Sequence, residues 1–166
     1  PDSMAKSMPS TAELLGKRQR ILVTGGAGFI GGAVVRRLLR ESNAIVFNLD
    51  KMGYASDLTS INEVIQELGV KHQNRHQLQA INLCDEKAVQ QAVKDADPDL
   101  VMHLAAESHV DRSISGPGVF IESNVTGTYN LLQAVRSHFE RLSPQRRGQF
   151  RLHHISTDEV FGSLGS

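Results

Sequence analysis

The sequence predicts an α/β domain: a doubly wound parallel sheet with helices on both faces. Three observations carry that expectation. Residues 21–31 read Ile-Leu-Val-Thr-Gly-Gly-Ala-Gly-Phe-Ile-Gly, an apolar strand that runs through a glycine cluster into a helical pattern. Beyond residue 19, strand-like and helix-like stretches alternate along the chain, which calls for parallel strands joined by helical crossovers. The second strand-like stretch, 44–49, ends in an acid, Asp50. Right-handed crossovers then give the strand order 3-2-1-4-5, the Rossmann-type arrangement.

The elements follow in order. Residues 1–19 are polar, with a helical turn at Ala12–Leu15. They read as a flexible tail outside the fold, part of it an appended remnant ahead of Met4 or Met8. The domain then occupies 20–166. Strands are expected at 20–24, 44–49, 76–81, 99–104 and 150–155, and helices at 29–41, 58–68, 86–96 and 118–140. In the first helix Ile30, Val34 and Leu38 recur at one-turn spacing with Ala33 beside them. The second places Leu58, Ile61, Val64, Ile65 and Leu68 on one face. The third does the same with Ala88, Val89, Ala92, Val93 and Ala96, and Asp97-Pro98 closes it. In the fourth, Phe120, Ile121, Val125, Leu131, Leu132, Val135 and Phe139 are too many for one stripe against a sheet. Residues 141–148 form a basic loop whose charges face solvent at a helix C-terminus.

Composition excludes several classes. Of 166 residues 40% are hydrophobic and 22% charged, which is ordinary for a globular domain. Eighteen basic residues balance eighteen acidic ones, so no bulk charge draws the chain to nucleic acid or a membrane surface. No run has transmembrane length, and no signal peptide is visible. Cys84 is the single cysteine, so there is no disulfide framework, and a reducing cytoplasm is the simplest setting. Cys84 itself reads as a small buried apolar residue. His72 and His76 have metal-ligand spacing but lack a local partner, and His153-His154 falls inside a strand in a structural role.

Gly26, Gly28 and Gly31 match the G-x-G-x-x-G spacing in the strand–turn–helix context that gives it meaning. Such glycines permit a tight turn, an approach to a pyrophosphate and close helix packing. Free N–H groups at the helix start face the phosphates. Asp50 stands where an acid accepts both ribose hydroxyls and repels a 2′-phosphate, which favours NAD over NADP. The plain alternatives are a glycine turn that binds nothing and a surface aspartate. Asn82-Leu83, after strand three, is placed to flank an adenine. Strand four runs into Leu104-Ala105-Ala106, small enough to admit a flat cofactor, then Glu107-Ser108-His109. Strand five ends in Ser156-Thr157-Asp158-Glu159, two carboxylates whose environments can separate an acid from a base.

Together, Thr24–Gly31, Asp50-Lys51, the run His103–Ile114 and the run Ile155–Gly162 resemble the dTDP-glucose 4,6-dehydratases, extended short-chain dehydrogenase/reductases acting on nucleotide sugars. The resemblance spans 20–162. Its first motif is general to the superfamily, whereas Ala-Glu-Ser-His-Val-Asp-Arg-Ser and Ser-Thr-Asp-Glu-Val are specific to the dehydratase branch. It implies NAD contacts from Gly25, Gly28, Phe29, Ile30, Gly31, Asp50, Lys51, Asn82, Leu83, Leu104, Ala105, Ala106 and Ser108. It also implies a cycle of oxidation at C4, loss of water across C5–C6 and reduction at C6. Glu159 is then the base at C5, Asp158 the acid for the C6 hydroxyl, and Thr157 a hydrogen-bond partner near C4. A nucleotide sugar of the dTDP-glucose or UDP-glucose type is the implied substrate, and a homo-oligomer the implied assembly, through a four-helix interface that uses the helix after strand four. The resemblance also calls for a downstream Tyr-x-x-x-Lys pair. Tyr54 and Tyr129 are the only tyrosines and neither has a lysine four residues on. The expectation is therefore a cofactor-binding portion truncated before the substrate domain and inactive alone. Smaller departures are Asn82 for Asp, Phe161 for Tyr, and Gly53 and Ser56 in the loop after Asp50. The rival readings are a nucleotide-sugar 4-epimerase and a non-catalytic dinucleotide-binding module.

Overall fold

The computed structural model describes residues 8–53, 56–105 and 122–156, apart from the side chains of Glu122 and Ser123. Five strands, β1 (Arg20–Thr24), β2 (Ile45–Leu49), β3 (His76–Gln79), β4 (Leu100–His103) and β5 (Arg151–His154), form one sheet in the order β3-β2-β1-β4-β5. Every pairing is parallel, and Ile21 faces Val46 on one side and Leu100 on the other. Sheet order and strand positions agree with the expectation from sequence.

Helices α1 (Thr11–Leu15), α2 (Phe29–Glu41), α3 (Thr59–Leu68), α4 (Glu86–Ala96), α5 (Gly127–Arg141) and α6 (Pro144–Gln149) flank the strands. A 3-10 turn (Val70–Arg75) enters β3, and a π-helical turn (Glu122–Thr126) leads into α5. Side chains alternate along β1, so two cores form. Ile21 and Val23 pack with Val46 and with Val35, Leu39, Ile61 and Val64 of α2 and α3. Leu22 faces the other way, with Phe47, Val101 and Val89, Val93, Leu131 and Val135 of α4 and α5.

Four expectations change. The buried face of α2 is Gly31, Gly32, Val35, Leu38 and Leu39, while Ile30 and Ala33 are exposed and Val34 is half-buried. The helix approaches the strands through its glycines, which an apolar count does not see. The segment before β1 is not a detached tail from Thr11 onward. Ser10 and Glu13 close a capping box on α1, and Leu15 is buried in the α2-side core. The basic loop contains α6, started by Ser143 with Pro144 in its first turn. Its Arg146 does not face solvent: it pairs with Asp97 and Asp99, both at 3.0 Å. Cys84 is half-buried rather than buried.

α5 puts Leu131 and Val135 in the core. Tyr129, Leu132 and Phe139 lie on its outer face and Val125 in the π-helical turn before it, 39–61% exposed. Two polar residues of its inner face, unmarked by any sequence signal, tie it down: Asn130 donates to the Leu83 carbonyl at 2.9 Å, and His138 Nε2 to that of Pro98 at 2.8 Å. β5, at the sheet edge, is exposed at all four residues, His153 and His154 included. His72 sits in the 3-10 turn beside Arg75, and His76 opens β3 with Nε2 3.2 Å from the Asn48 amide.

Candidate cofactor site

The C-terminal ends of β1, β2 and β4 converge at the reversal of strand order, where open α/β sheets bind ligands. The tight turn after β1 is made by Gly25, at φ +70°, one residue before the first glycine of the G-x-G-x-x-G spacing. A Cβ there would lie 2.8 Å from the Ala105 backbone, so only glycine lets the β1 and β4 loops touch. A Cβ on Gly31 would lie 2.0 Å from the Gly25 carbonyl oxygen, which is how closely α2 docks on the loop. Gly28 precedes α2, and no side chain caps the helix. The positive end of the helix dipole is therefore open to an anion. Phe29 and Ile30 stand beside it, 95% and 62% exposed.

Asp50 follows β2 and is only 7% exposed. Its Oδ2 accepts the Ala27 N–H at 3.0 Å. Its Oδ1 accepts the Met52 N–H and the Ser56 hydroxyl, both at 2.8 Å. Met52 adopts φ +55°, the left-handed region, to aim its N–H there. The Asp57 N–H in turn donates to the Ala27 carbonyl at 2.8 Å. The glycine loop is thus gripped on both sides of Ala27 by the loop that follows β2. Lys51 is exposed.

A buried hydrogen-bond chain lies under the β4 end. Thr24 Oγ1 accepts the N–H groups of Leu104 and Ala105, each at 3.1 Å, which fills its lone pairs. Its own proton therefore goes to His103 Nδ1, 2.6 Å away. His103 Nε2 then carries the ring proton and donates to the Thr128 hydroxyl at 2.8 Å. Burial, with the His154 ring 5.0 Å away, pushes the His103 imidazole down to about 4, so it is neutral near pH 7. β1, β4 and α5 are stitched together by one neutral histidine.

The expected residues separate into three sets. Gly25, Gly28, Phe29, Ile30, Gly31 and Asp50 come together around the mouth of β1 and β2, and Leu104 and Ala105 close its β4 side. Asn82 and Leu83 follow β3, on the far side of β2. The Asn82 Oδ1 accepts the Cys84 N–H at 3.0 Å, and Leu83 is buried in the α4–α5 core, under Gly127. The Leu83 side chain therefore serves packing. Ala106, Ser108, Thr157, Asp158 and Glu159 lie outside the described residues, as do Phe120 and Ile121. Among the described residues no group of His, Cys, Asp and Glu is placed to hold a metal ion, and no helix is long and apolar enough to cross a membrane.

The family pattern of GDP-mannose 4,6 dehydratase matches residues 22–166. The chain belongs to this family. The dehydratase-family chain is 46% identical over 145 residues to dTDP-glucose 4,6-dehydratase of Salmonella typhimurium and 49% identical over 145 residues to that of Escherichia coli. Each alignment covers 87% of this chain but 38% of the relative, so the chain spans about two fifths of the curated relatives it matches. Among solved structures, DesIV, the dTDP-glucose 4,6-dehydratase of Streptomyces venezuelae with NAD and TYD bound, superposes with a TM-score of 0.70. It is 37% identical, over 89% of this chain and 42% of DesIV. The UDP-glucose-4-epimerase of Stenotrophomonas maltophila, with bound NAD, gives a TM-score of 0.66 at 25% identity, over 89% of this chain and 40% of its own.

Sequence reading missed two features of the dehydratase-family chain's site. Ser56 and Met52 contact Asp50 through a loop path that no pattern encodes. The Thr24–His103–Thr128 chain joins residues 79 and 25 positions apart. Thr24 and His103 both end buried strands as polar residues, the one signal that marked them.

Proposed function

We propose that this chain is the cofactor-binding portion of an NAD-dependent nucleotide-sugar 4,6-dehydratase, a lyase that converts dTDP-glucose to its 4-keto-6-deoxy product. One observation carries the reading: the uncapped α2 N-terminus and the Asp50 carboxylate, joined through the Ala27 N–H. They offer a positive pole for a pyrophosphate and an acceptor for a ribose diol. The cradle at Gly25 and Gly31, which a Cβ would fill, fits the same group. Bound NAD supplies a hydride acceptor and donor for the sugar.

The chain's own residues do the rest. Asp50 and Lys51 orient the adenosine ribose, with Asn82 on the adenine side. The Leu104-Ala105-Ala106 backbone and Ser108 border the nicotinamide. Thr157 hydrogen-bonds the sugar near C4, Asp158 protonates the departing C6 hydroxyl, and Glu159 takes the C5 proton. A carboxylic acid and a carboxylate at adjacent positions serve both ends of one elimination. Epimerisation at C4 needs neither, so the Asp158-Glu159 pair favours the dehydratase over the 4-epimerase reading. The balanced charge and single cysteine support a cytoplasmic setting. The exposed outer face of α5 supports a homo-oligomer.

Two measurements test this. Calorimetric titration gives tighter binding of NAD than of NADP. Asp50→Ala narrows the gap, by roughly 1.5–3 kcal/mol if a charged hydrogen bond is what it removes. Equal or tighter NADP binding by the unaltered protein contradicts the reading. In the full-length enzyme Glu159→Gln abolishes loss of water from dTDP-glucose, followed by mass spectrometry; undiminished loss removes Glu159 from the reaction.

A further inference from the structure

The Asp50 carboxylate is more fully engaged than an acceptor waiting for a diol needs to be. A carboxylate offers about four lone-pair sites. Oδ1 fills its two with the Met52 N–H and the Ser56 hydroxyl, and Oδ2 gives one to the Ala27 N–H. One site is left, on Oδ2. A vicinal diol that grips a carboxylate at both oxygens needs one site on each. Something on Oδ1 has to yield, and its two donors differ. The Met52 N–H is fixed by the backbone, whereas the Ser56 hydroxyl leaves by rotation about one side-chain bond. Asp50 is nearly buried, and both lone-pair sites of Oδ1 are already taken.

We propose that the Ser56 hydroxyl stands in for a ribose hydroxyl on Asp50 and is displaced when the dinucleotide binds, which makes Ser56 a determinant of cofactor affinity. The inference rests on the NAD reading above and adds a residue which that reading does not use. Ser56 satisfies the carboxylate in the empty protein and exacts a cost on binding. Its hydroxyl thus acts on apo stability and on NAD affinity in opposite directions. A residue that merely supported the loop would move both the same way.

The test is NAD titration by calorimetry, with apo melting temperatures, for the unaltered protein, S56A, S56T, D50A and the D50A/S56A double variant. S56A tightens NAD by about two- to tenfold, the worth of one net hydrogen bond, and lowers the apo melting temperature. S56T keeps the hydroxyl and stays within about twofold of the unaltered protein. In the D50A background S56A changes NAD affinity by less than about twofold, because the competition has no object. NAD binding by S56A that is unchanged or weaker overturns the proposal and makes Ser56 a support for Asp50. Tightening that persists in the D50A background overturns it too, since the effect then bypasses the carboxylate. If D50A alone binds NAD as the unaltered protein does, it is the assignment of Asp50 to the ribose that fails.

Discussion

Burial of single polar side chains governs this site's chemistry. His103 is 3% exposed, and burial first, then the nearby His154 ring, depresses its pKa from 6.5 to about 4. Thr24 of β1 and Thr128 of α5 face it as neutral partners, leaving His154 of β5 as the titratable group that faces it among the described residues. A folded-state pKa below the unfolded one means that the unfolded chain binds the proton first. The contribution of His103 is complete above pH 6.5 and is lost as pH falls from 6.5 to about 4. The slope approaches about 1.4 kcal/mol per pH unit. Denaturation measured at pH 7 and pH 5 checks this: His103→Gln is less stable than the unaltered protein at pH 7, but its stability falls less between the two. Equal losses would show that His103 does not titrate as described. Burial also depresses His76, beside Asn48, which adds a slope of the same sign that the variant leaves intact.

The elements divide the chain between its two ends. At the C-terminal ends of the strands the glycine loop, the Asp50 loop and the His103 chain build the site. At the opposite end Arg146 of α6 clamps Asp97 and Asp99, and His138 holds Pro98. α5 carries a feature that serves neither end. Tyr129, Leu132 and Phe139, at intervals of three and seven, are exposed along the helix, and Val125 is exposed in the π-helical turn that leads into it. Apolar stripes of this kind mark contact surfaces. Light scattering at micromolar concentration therefore shows self-association, and Leu132→Glu shifts it toward the monomer without lowering the melting temperature by more than a few degrees. A concentration-independent monomer would show that the stripe is not a contact surface. The elements also show what sequence can convey. β1, α3 and α4 were legible because their buried faces are written in Ile, Val, Leu and Ala at the right period. The face of α2 was not, because Gly31 and Gly32 are its contact points and carry no apolar side chain to count. α6 was announced by Ser143-Pro144, a start signal outweighed by the charges around it.

For the whole molecule the sequence conveyed topology better than chemistry. The order 3-2-1-4-5 was legible from alternation, right-handed crossovers and the glycine motif after the first strand. The engagement of Asp50 depends on how six residues of loop close on themselves, which periodicity does not encode. The roles proposed for Asp158 and Glu159 rest on the resemblance, and both residues lie outside the described ones. These 166 residues include no Tyr-x-x-x-Lys pair, and groups that act as a unit lose most of their effect when one is missing. The 166-residue chain by itself is therefore expected to bind NAD but to form no 4-keto-6-deoxy sugar from dTDP-glucose. Turnover at rates ordinary for enzymes would count against the assignment of roles.

The position of β1 has a further consequence, in time rather than in space. The central strand is made before both of its neighbours, and the second arrives late: Ile21 pairs with Leu100, 79 residues on. At translation rates of about 5–20 residues per second, roughly 4–16 s pass between the two leaving the ribosome's catalytic centre. Through that interval the Ile-Leu-Val run has β2 on one flank and an open row of backbone donors and acceptors on the other. Nascent-chain quality therefore hinges on how well the stretch from β1 to β4 keeps that row from other chains until β4 closes it.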